Sequence, residues 1–505
     1  MDRRDFLKIL PSSIVLSSGA VISNKVFSGV RSKSSSSSYK ALVVVELNGG
    51  NDSLNMLVPT TKQDNFDRET YDNNRSEIRI SNDSLVLPTQ SELDSGSLDN
   101  KYLDGAPSSS SSSYLPFIYK KGVYNLSDSN LKFGVNGVMP ELAYMIENGD
   151  ASVLGNLGTL TQPIPIDGTP IDAGLLPPYL FAHNNQRRVI KTGMADNIAF
   201  SGWGSRALDY LGYNSGQFGG ISTSGSTRLL QGPNNGLSMS NKKPSYLKNL
   251  DTSIFDALNT TDSNSPFSIF STRLLKNSNA RMESIQANWG GDDFYGTSKG
   301  SYGELLHDVP NSESGFDSNN SLSGQLIDAF DTVARMIKIT QNTAGLSPDP
   351  IANQQVFFIS FGGWDHHSNA SYKHPKLLRE LSLGLWKFKN MLSAIGYEND
   401  VTTVTYSDFG RTLQENNDGS DHAWASQQII MGNPINGGRL FGELPILEPG
   451  SASDINDSGR YIPTLSYDQL WASCIQWLGV DESALPLIFP NIDNFSSRTI
   501  PGLFV

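Results

Sequence analysis

Apolar positions along the chain follow two periods that take turns, and this alternation predicts an α/β protein. Residues 41–47 form a continuous apolar run broken by one acid, Glu46, the pattern of a central strand buried on both faces. Residues 138–149 switch to helical spacing, with Met139, Leu142, Ala143 and Ile146 on one face and Gly149 as a stop. A strand is expected at 151–158, then helices at 179–193 and 201–212, the second with Ser201 as its N-cap. The stretch 218–319 is punctuated throughout by Gly, Asn, Asp and Ser and offers one helix candidate, near 269–288. Beyond it the spacing predicts helices at 322–341, 375–395 and 467–478. Strands are predicted at 355–361, 401–406 and 428–431. Strands alternating with helices imply one large α/β domain with a mostly parallel central sheet flanked by helices and long loop insertions.

Composition refines this picture at the edges. Residues 90–129 are rich in Ser, Asp and Asn, include six consecutive serines, and read as an inserted low-complexity loop. Residues 32–39 are Ser-rich and read as a linker leading into the domain at 40–505. Residues 1–31 begin MDRRDFLKIL: Arg3 and Arg4 precede Phe6, Leu7 and Lys8, followed by a weakly apolar segment broken by Pro11 and Gly19. That order is expected of a twin-arginine export signal, with cleavage after Ala20 or Ser28 and a periplasmic or otherwise exported destination. The segment is too short and too rich in serine for a stable transmembrane anchor. A net charge of −13 without any Lys/Arg cluster argues against a nucleic-acid partner. The single cysteine, Cys474, excludes an internal disulfide and a multi-thiolate metal site, and its apolar surroundings make it a buried small hydrophobe.

The chemistry concentrates in the last third. Three turns, FFISFGGWDHHSN (357–369), VTTVTYSDFGRT (401–412) and GSDHAW (419–424), hold three of the six histidines and set an Asp beside a His or just past a β-branched run. Carboxylate and imidazole delivered together by strand ends are the materials of a metal site or an acid–base site. Asp52, after the Gly49-Gly50 turn that ends the first strand, reaches the same kind of edge, either as a ligand or as a cap on the next element. His366 and His367 are neighbours pointing opposite ways, so at most one faces a site with Asp365. Asp408 reads either as a ligand or as the partner of Arg411, and Asp421 stands ready to orient His422. His183 on its helix is a packing residue or a site member, while His307 and His374 are expected in solvent. Trp203 and Trp364 wall a pocket or, more simply, pack in the core.

Six blocks fall in order: LNGGNDSLNMLVP, PELAYMIENGDASVLGNLG, HNNQRRVIKTG with SGWGSRAL, FGGWDHHSN, SDFGRT and GSDHAWA. In this they resemble the bacterial domain-of-unknown-function family 1501, whose members carry twin-arginine signals and share the alkaline phosphatase/sulfatase fold. The resemblance spans roughly residues 40–480 and implies a divalent metal (Zn, Mn, Mg or Ca) at the carboxyl edge of the sheet. It would be held by Asp52, Asp365 with His366 or His367, Asp408 and His422. It also implies Arg411 and His183 as catalytic groups, Arg411 steadying an anionic ester of a glycan or a small molecule. Two positions depart from the pattern: Phe409 stands where such hydrolases place a histidine, and Ala182 where the family often has a serine. The implied function is a metal-dependent phosphate or sulfate ester hydrolase; the alternative is a catalytically degenerate protein binding a ligand or an envelope partner on the same fold.

Overall fold

Side chains of β1 (Lys40–Asn48) are buried on both of its faces, and the rest of the architecture follows from covering them. A computed structural model describes residues 39–62, 65–94, 122–168, 171–195, 200–213, 218–232, 236–239, 282–290, 324–341 and 352–505. The expected export signal, the linker except for Tyr39, His307, and most of the 90–129 and 269–288 predictions lie outside these residues.

After β1 come α1 (Ser53–Met56), β2 (Leu57–Pro59), α2 (Arg68–Asn74), β3 (Ser84–Leu85), α3 (Gln90–Asp94), β4 (Val123–Asn125) and β5 (Phe133–Asn136). Then follow α4 (Pro140–Glu147), β6 (Ala151–Gly158), α5 (His183–Thr192), α6 (Trp203–Tyr210), β7 (Gly220–Ser222), β8 (Leu237–Ser238) and α7 (Gln325–Gln341). The last part runs β9 (Gln354–Gly362), α8 (Ala370–Ile395), β10 (Val401–Ser407), β11 (Arg411–Glu415), β12 (Ser420–His422), β13 (Ser426–Met431), β14 (Leu440–Gly442), β15 (Leu465–Ser466), α9 (Tyr467–Leu478) and α10 (Leu485–Ile488).

The main sheet has the order β14-β6-β13-β10-β1-β9-β7-β8, with β15 also paired to β6. Every pairing is parallel except the two made by β13, so the mostly parallel sheet predicted from the alternation is present. Period-2 alternation along β1 divides the core. Val43, Val45 and Leu47 join Phe330 of α7 and Leu385 of α8, while Leu42 and Val44 join Ile190, Trp203 and Trp471 of α5, α6 and α9. Trp203 stacks on Trp471, and both Trp203 and Trp364 are fully buried, the packing role rather than a pocket wall. Cys474 is buried in the same layer as Trp471. Glu46, the acid in the apolar run, is buried yet satisfied: Lys191 approaches to 2.6 Å, and the Tyr406 and Ser360 hydroxyls donate at 2.8 and 2.7 Å.

Three expectations shift. Ser201 does not cap α6; Gly202 holds that position without a side-chain bond, where an added Cβ would lie 2.2 Å from the Leu229 carbonyl oxygen. Helix α8 starts at Ala370 rather than at Pro375, because Asp418 in the distant β11–β12 hairpin satisfies its first donors: its carbonyl accepts from Ala370 N at 3.0 Å and its carboxylate from Ser371 N at 2.9 Å. The described ends of the 90–129 stretch are regular, α3 on one side and β4 on the other; β4 joins a small sheet of order β2-β5-β4-β3.

Candidate metal centre

Parallel pairing aligns the carboxyl ends of β1, β9 and β10: Asn48 lies beside Gly362 and Leu47 beside Ser407. The turns that follow β1, β9 and β10 therefore leave the sheet along one edge, the place where open α/β sheets bind ligands, while the third late turn, 419–424, lies on the separate β11–β12 hairpin. The first turn is steeply constrained. Gly49 and Gly50 have φ of 130° and 84°, and a Cβ on Gly49 would sit 2.5 Å from the Asp365 amide nitrogen. A Cβ on Gly50 would meet the Phe409 ring at 2.7 Å.

Arg411, at the start of β11, is buried and ties these turns together. Its guanidinium donates to the carbonyls of Gly50 (2.8 Å), Gly49 (2.6 Å) and Ser420 (2.9 Å), and to Asp365 Oδ1 (2.5 Å). So occupied and so buried, it fixes Asp365 from behind and leaves little of its fork for a substrate anion. Asp365 keeps 45% of its side chain exposed. Burial pushes its carboxyl up, but the hydrogen bond and charge of Arg411 outweigh this and hold it down to about 2.

Three imidazoles converge on that carboxylate. His183 Nε2 lies 3.4 Å from Asp365 Oδ2, and His422 Nε2 and His367 Nε2 lie 3.3 and 3.2 Å from Oδ1. The two Nε2 atoms of His367 and His422 are 2.9 Å apart. On the far side of each ring Nδ1 is engaged. His422 Nδ1 contacts the Phe181 carbonyl at 2.9 Å; a carbonyl only accepts, so Nδ1 carries the proton and Nε2 presents a lone pair. His367 Nδ1 lies 3.3 Å from Asp421, and His183 Nδ1 lies 2.7 Å from Asp408 Oδ2. Burial lowers the His422 pKa, with Arg411 and His183 adding to the effect against the Phe181 carbonyl, so the neutral ring is favoured. Burial raises that of Asp408, opposed by the hydrogen bond with His183.

The donors fit a cation. His183 Nε2 is buried and has no hydrogen-bond partner although it points at a carboxylate. His183, Asp365 and His422 each offer one ligand atom, all within 4.8 Å of one another, a group able to hold a metal ion. Phe409 packs 4.7 Å from the His183 ring centroid and 4.4 Å from that of His422, filling the side of the site where the resemblance implied a further ligand.

The remaining sequence candidates are placed elsewhere or differently. Asp52 does not join the cluster; it stands at the N-cap of α1 without a side-chain cap bond, is buried against Arg75 at 2.7 Å, and its Oδ1 has no partner. Burial pushes its carboxyl up, but Arg75 outweighs this and the net shift is downward. His366 points away from the cluster's histidines into the interior, 5.7 Å from the His374 ring, with neither ring nitrogen partnered. His374, expected in solvent, is buried and hydrogen-bonds through Nε2 to Asn51 at 2.8 Å. Asp408 partners His183 instead of Arg411, and Asp421 contacts His367 instead of His422. Ser53, next to Asp52, is buried and bonded to Gln427. Among the described residues no hydroxyl or thiol hydrogen-bonds to the side chains of His183, Asp365 or His422. Two participants were not singled out in the sequence. Arg187 lies 3.6 Å from Asp408 and donates to Asn48 at 2.8 Å; its position one turn after His183 was the available signal. The Phe181 carbonyl is a backbone atom and leaves no mark in the residue pattern.

Residues 352–478 match a family described as "Protein of unknown function (DUF1501)", and this segment carries Asp365, His367, Asp408, Arg411 and His422. No curated protein matches the chain. Among solved structures, Ps i-CgsB in complex with k-i-k-neocarrahexaose is similar at 10% identity and a TM-score of 0.31, over 90% of this chain and 77% of that one. The PsFucS1 sulfatase from Pseudoalteromonas sp. has 10% identity and a TM-score of 0.32 over 68% of this chain and 63% of that one. The phosphonate monoester hydrolase SpPMH from Silicibacter pomeroyi has 12% identity and a TM-score of 0.28 over 70% and 72%. No helix among the described residues is long and apolar enough to cross a membrane.

Proposed function

We propose that this protein is a metal-dependent hydrolase of phosphate or sulfate esters that leaves the cytoplasm by the twin-arginine route. The observation that carries the reading is the buried, unpartnered Nε2 of His183, turned with the Nε2 of His422 toward the Asp365 carboxylate. His183, His422 and Asp365 would hold the ion, with His367 as a more exposed fourth donor. Imidazole nitrogens with one carboxylate favour Zn or Mn over Mg or Ca, which prefer all-oxygen sites. When bound, such an ion polarises an ester oxygen and lowers the pKa of water.

The chain's own residues do the rest. Arg411 keeps Asp365 ionised and fixed, and the low pKa of His422 keeps its ring neutral, as ligation requires. Phe409 excludes water from the inner side of the rings. His367, 46% exposed, reaches Asp365 through Nε2 at 3.2 Å from the open side of the cluster. Asp365 and Asp408 are each matched by a guanidinium, Arg411 and Arg187, so a bound dication adds net positive charge that an ester anion neutralises. With no hydroxyl at the cluster among the described residues, the attacking group in this reading is water. That same lack favours the second reading, a protein that binds an anionic ligand without turnover.

The two readings separate in a screen of zinc- or manganese-reconstituted protein against nitrophenyl phosphate, phosphate diester and sulfate substrates. The hydrolase reading predicts turnover of at least one class that disappears in Asp365→Ala and returns with added metal only in the wild type. Binding of phosphate or sulfate without turnover of any ester supports the binder and overturns the hydrolase.

A further inference from the structure

Asp408 is fully buried at the end of β10, and its contacts set it apart from a ligand. Its Oδ2 faces the Nδ1 of His183 at 2.7 Å and Arg187 at 3.6 Å. The His183 ring thus stands between two carboxylates, Asp408 on its Nδ1 side and Asp365 on its Nε2 side at 3.4 Å. We propose that Asp408 is a positioning residue: its carboxylate accepts the Nδ1 proton of His183 and so fixes the tautomer in which Nε2 offers a lone pair to the cluster. The inference deepens the metal-centre reading and rests on it for its functional sense.

Several observations support it. The 2.7 Å contact of His183 Nδ1 with Asp408 Oδ2, with the Arg187 guanidinium 3.6 Å from the same oxygen, fits a ring Nδ1–H donating to a carboxylate. The Nε2 atom is then bare, which accounts for its being buried without a hydrogen-bond partner next to another acceptor. His422 is held the same way by a different acceptor, the Phe181 carbonyl, so the two inward Nε2 atoms share one tautomer. Ligating histidines commonly have the outer ring nitrogen fixed by a carboxylate or carbonyl, and loss of that partner costs about 10–100-fold in metal affinity. Arg187, four residues after His183 on α5, touches Asp408 as well and holds the carboxylate against the ring from the same helix.

The test begins with the metal-free wild type. Nitrogen-15 spectra of the histidine rings, with His183 assigned through His183→Gln, should show an Nδ1–H, bare-Nε2 tautomer; an Nε2–H tautomer overturns the proposal. Next comes zinc binding by Asp408→Asn, with X-ray absorption to count ligand types. The expected result is a 10–100-fold weaker affinity with the same nitrogen and oxygen ligands as the wild type. Unchanged affinity, or loss of an oxygen ligand, overturns it. If Asp408→Asn does not fold, the wild-type tautomer decides alone. If the wild type takes up no zinc, the metal-centre reading fails, and the tautomer still decides the role of Asp408.

Discussion

At the scale of single residues, the interior beneath the site holds its histidines neutral. Burial lowers the His374 pKa from 6.5 to about 4, and the ring serves as a hydrogen-bond partner to Asn51. The unfolded chain takes up a proton near 6.5 and the folded protein does not until about 4. The stability contributed by the neutral ring is therefore complete above the unfolded pKa and is lost as pH falls toward the folded one. From the size of that shift the loss is roughly 3 kcal/mol. In urea denaturation at pH 7 and pH 4.5, His374→Gln should show a visibly smaller fall in stability than the wild type; an identical fall would assign the pH dependence to other groups. The sequence pattern placed this histidine in solvent because it sits near the start of a helix, and helix starts are usually exposed. It gave no sign that α8 begins five residues earlier or that the Asn51 turn folds over it. The Asp365–Arg411 pair was equally illegible. Asp408 and Arg411 are close in sequence, but their contacts diverge to α5 and to the Gly49-Gly50 turn, so proximity suggested the wrong partner.

At the scale of elements, the legible ones carried signals at both ends. Strand 151–158 and helix 467–478 match their predicted limits, the helix because Ser466 and Gln469 close a capping box and Gly479 ends it in the left-handed region. Ser466→Ala removes the side-chain acceptor for Asp468 N and should cost about 1 kcal/mol in thermal or urea unfolding while leaving zinc affinity unchanged. A change in affinity would couple α9 to the metal edge, contrary to this account. Helix α8 was misjudged at its start because its cap comes from Asp418, nearly fifty residues later in the chain. No local pattern contains such a partner. Helix α5 shows how an element can carry a site that its residues only half announce. His183 and Arg187 share a face by their spacing, but only the tertiary placement of α5 against the end of β10 brings both onto Asp408.

At the scale of the whole molecule, a mostly parallel sheet gathers the first-strand turn and the turns after β9 and β10 along one edge, and that much was legible from the alternation of strands and helices. Which side chains face the edge was not. Asp52 and His366 are drawn into the interior, while His183, from a helix more than 170 residues before Asp365, completes the cluster. A ligand that binds only the folded protein raises its stability in proportion to the logarithm of its concentration. Zinc should therefore raise the melting temperature of the wild type and leave Asp365→Ala unaffected. The most direct test of the central claim is the metal content of the purified, zinc-reconstituted protein after exhaustive dialysis. About one zinc per chain is expected in the wild type and none in Asp365→Ala of normal fold. A wild type that retains no metal, or an Asp365→Ala variant that retains as much as the wild type, would contradict it.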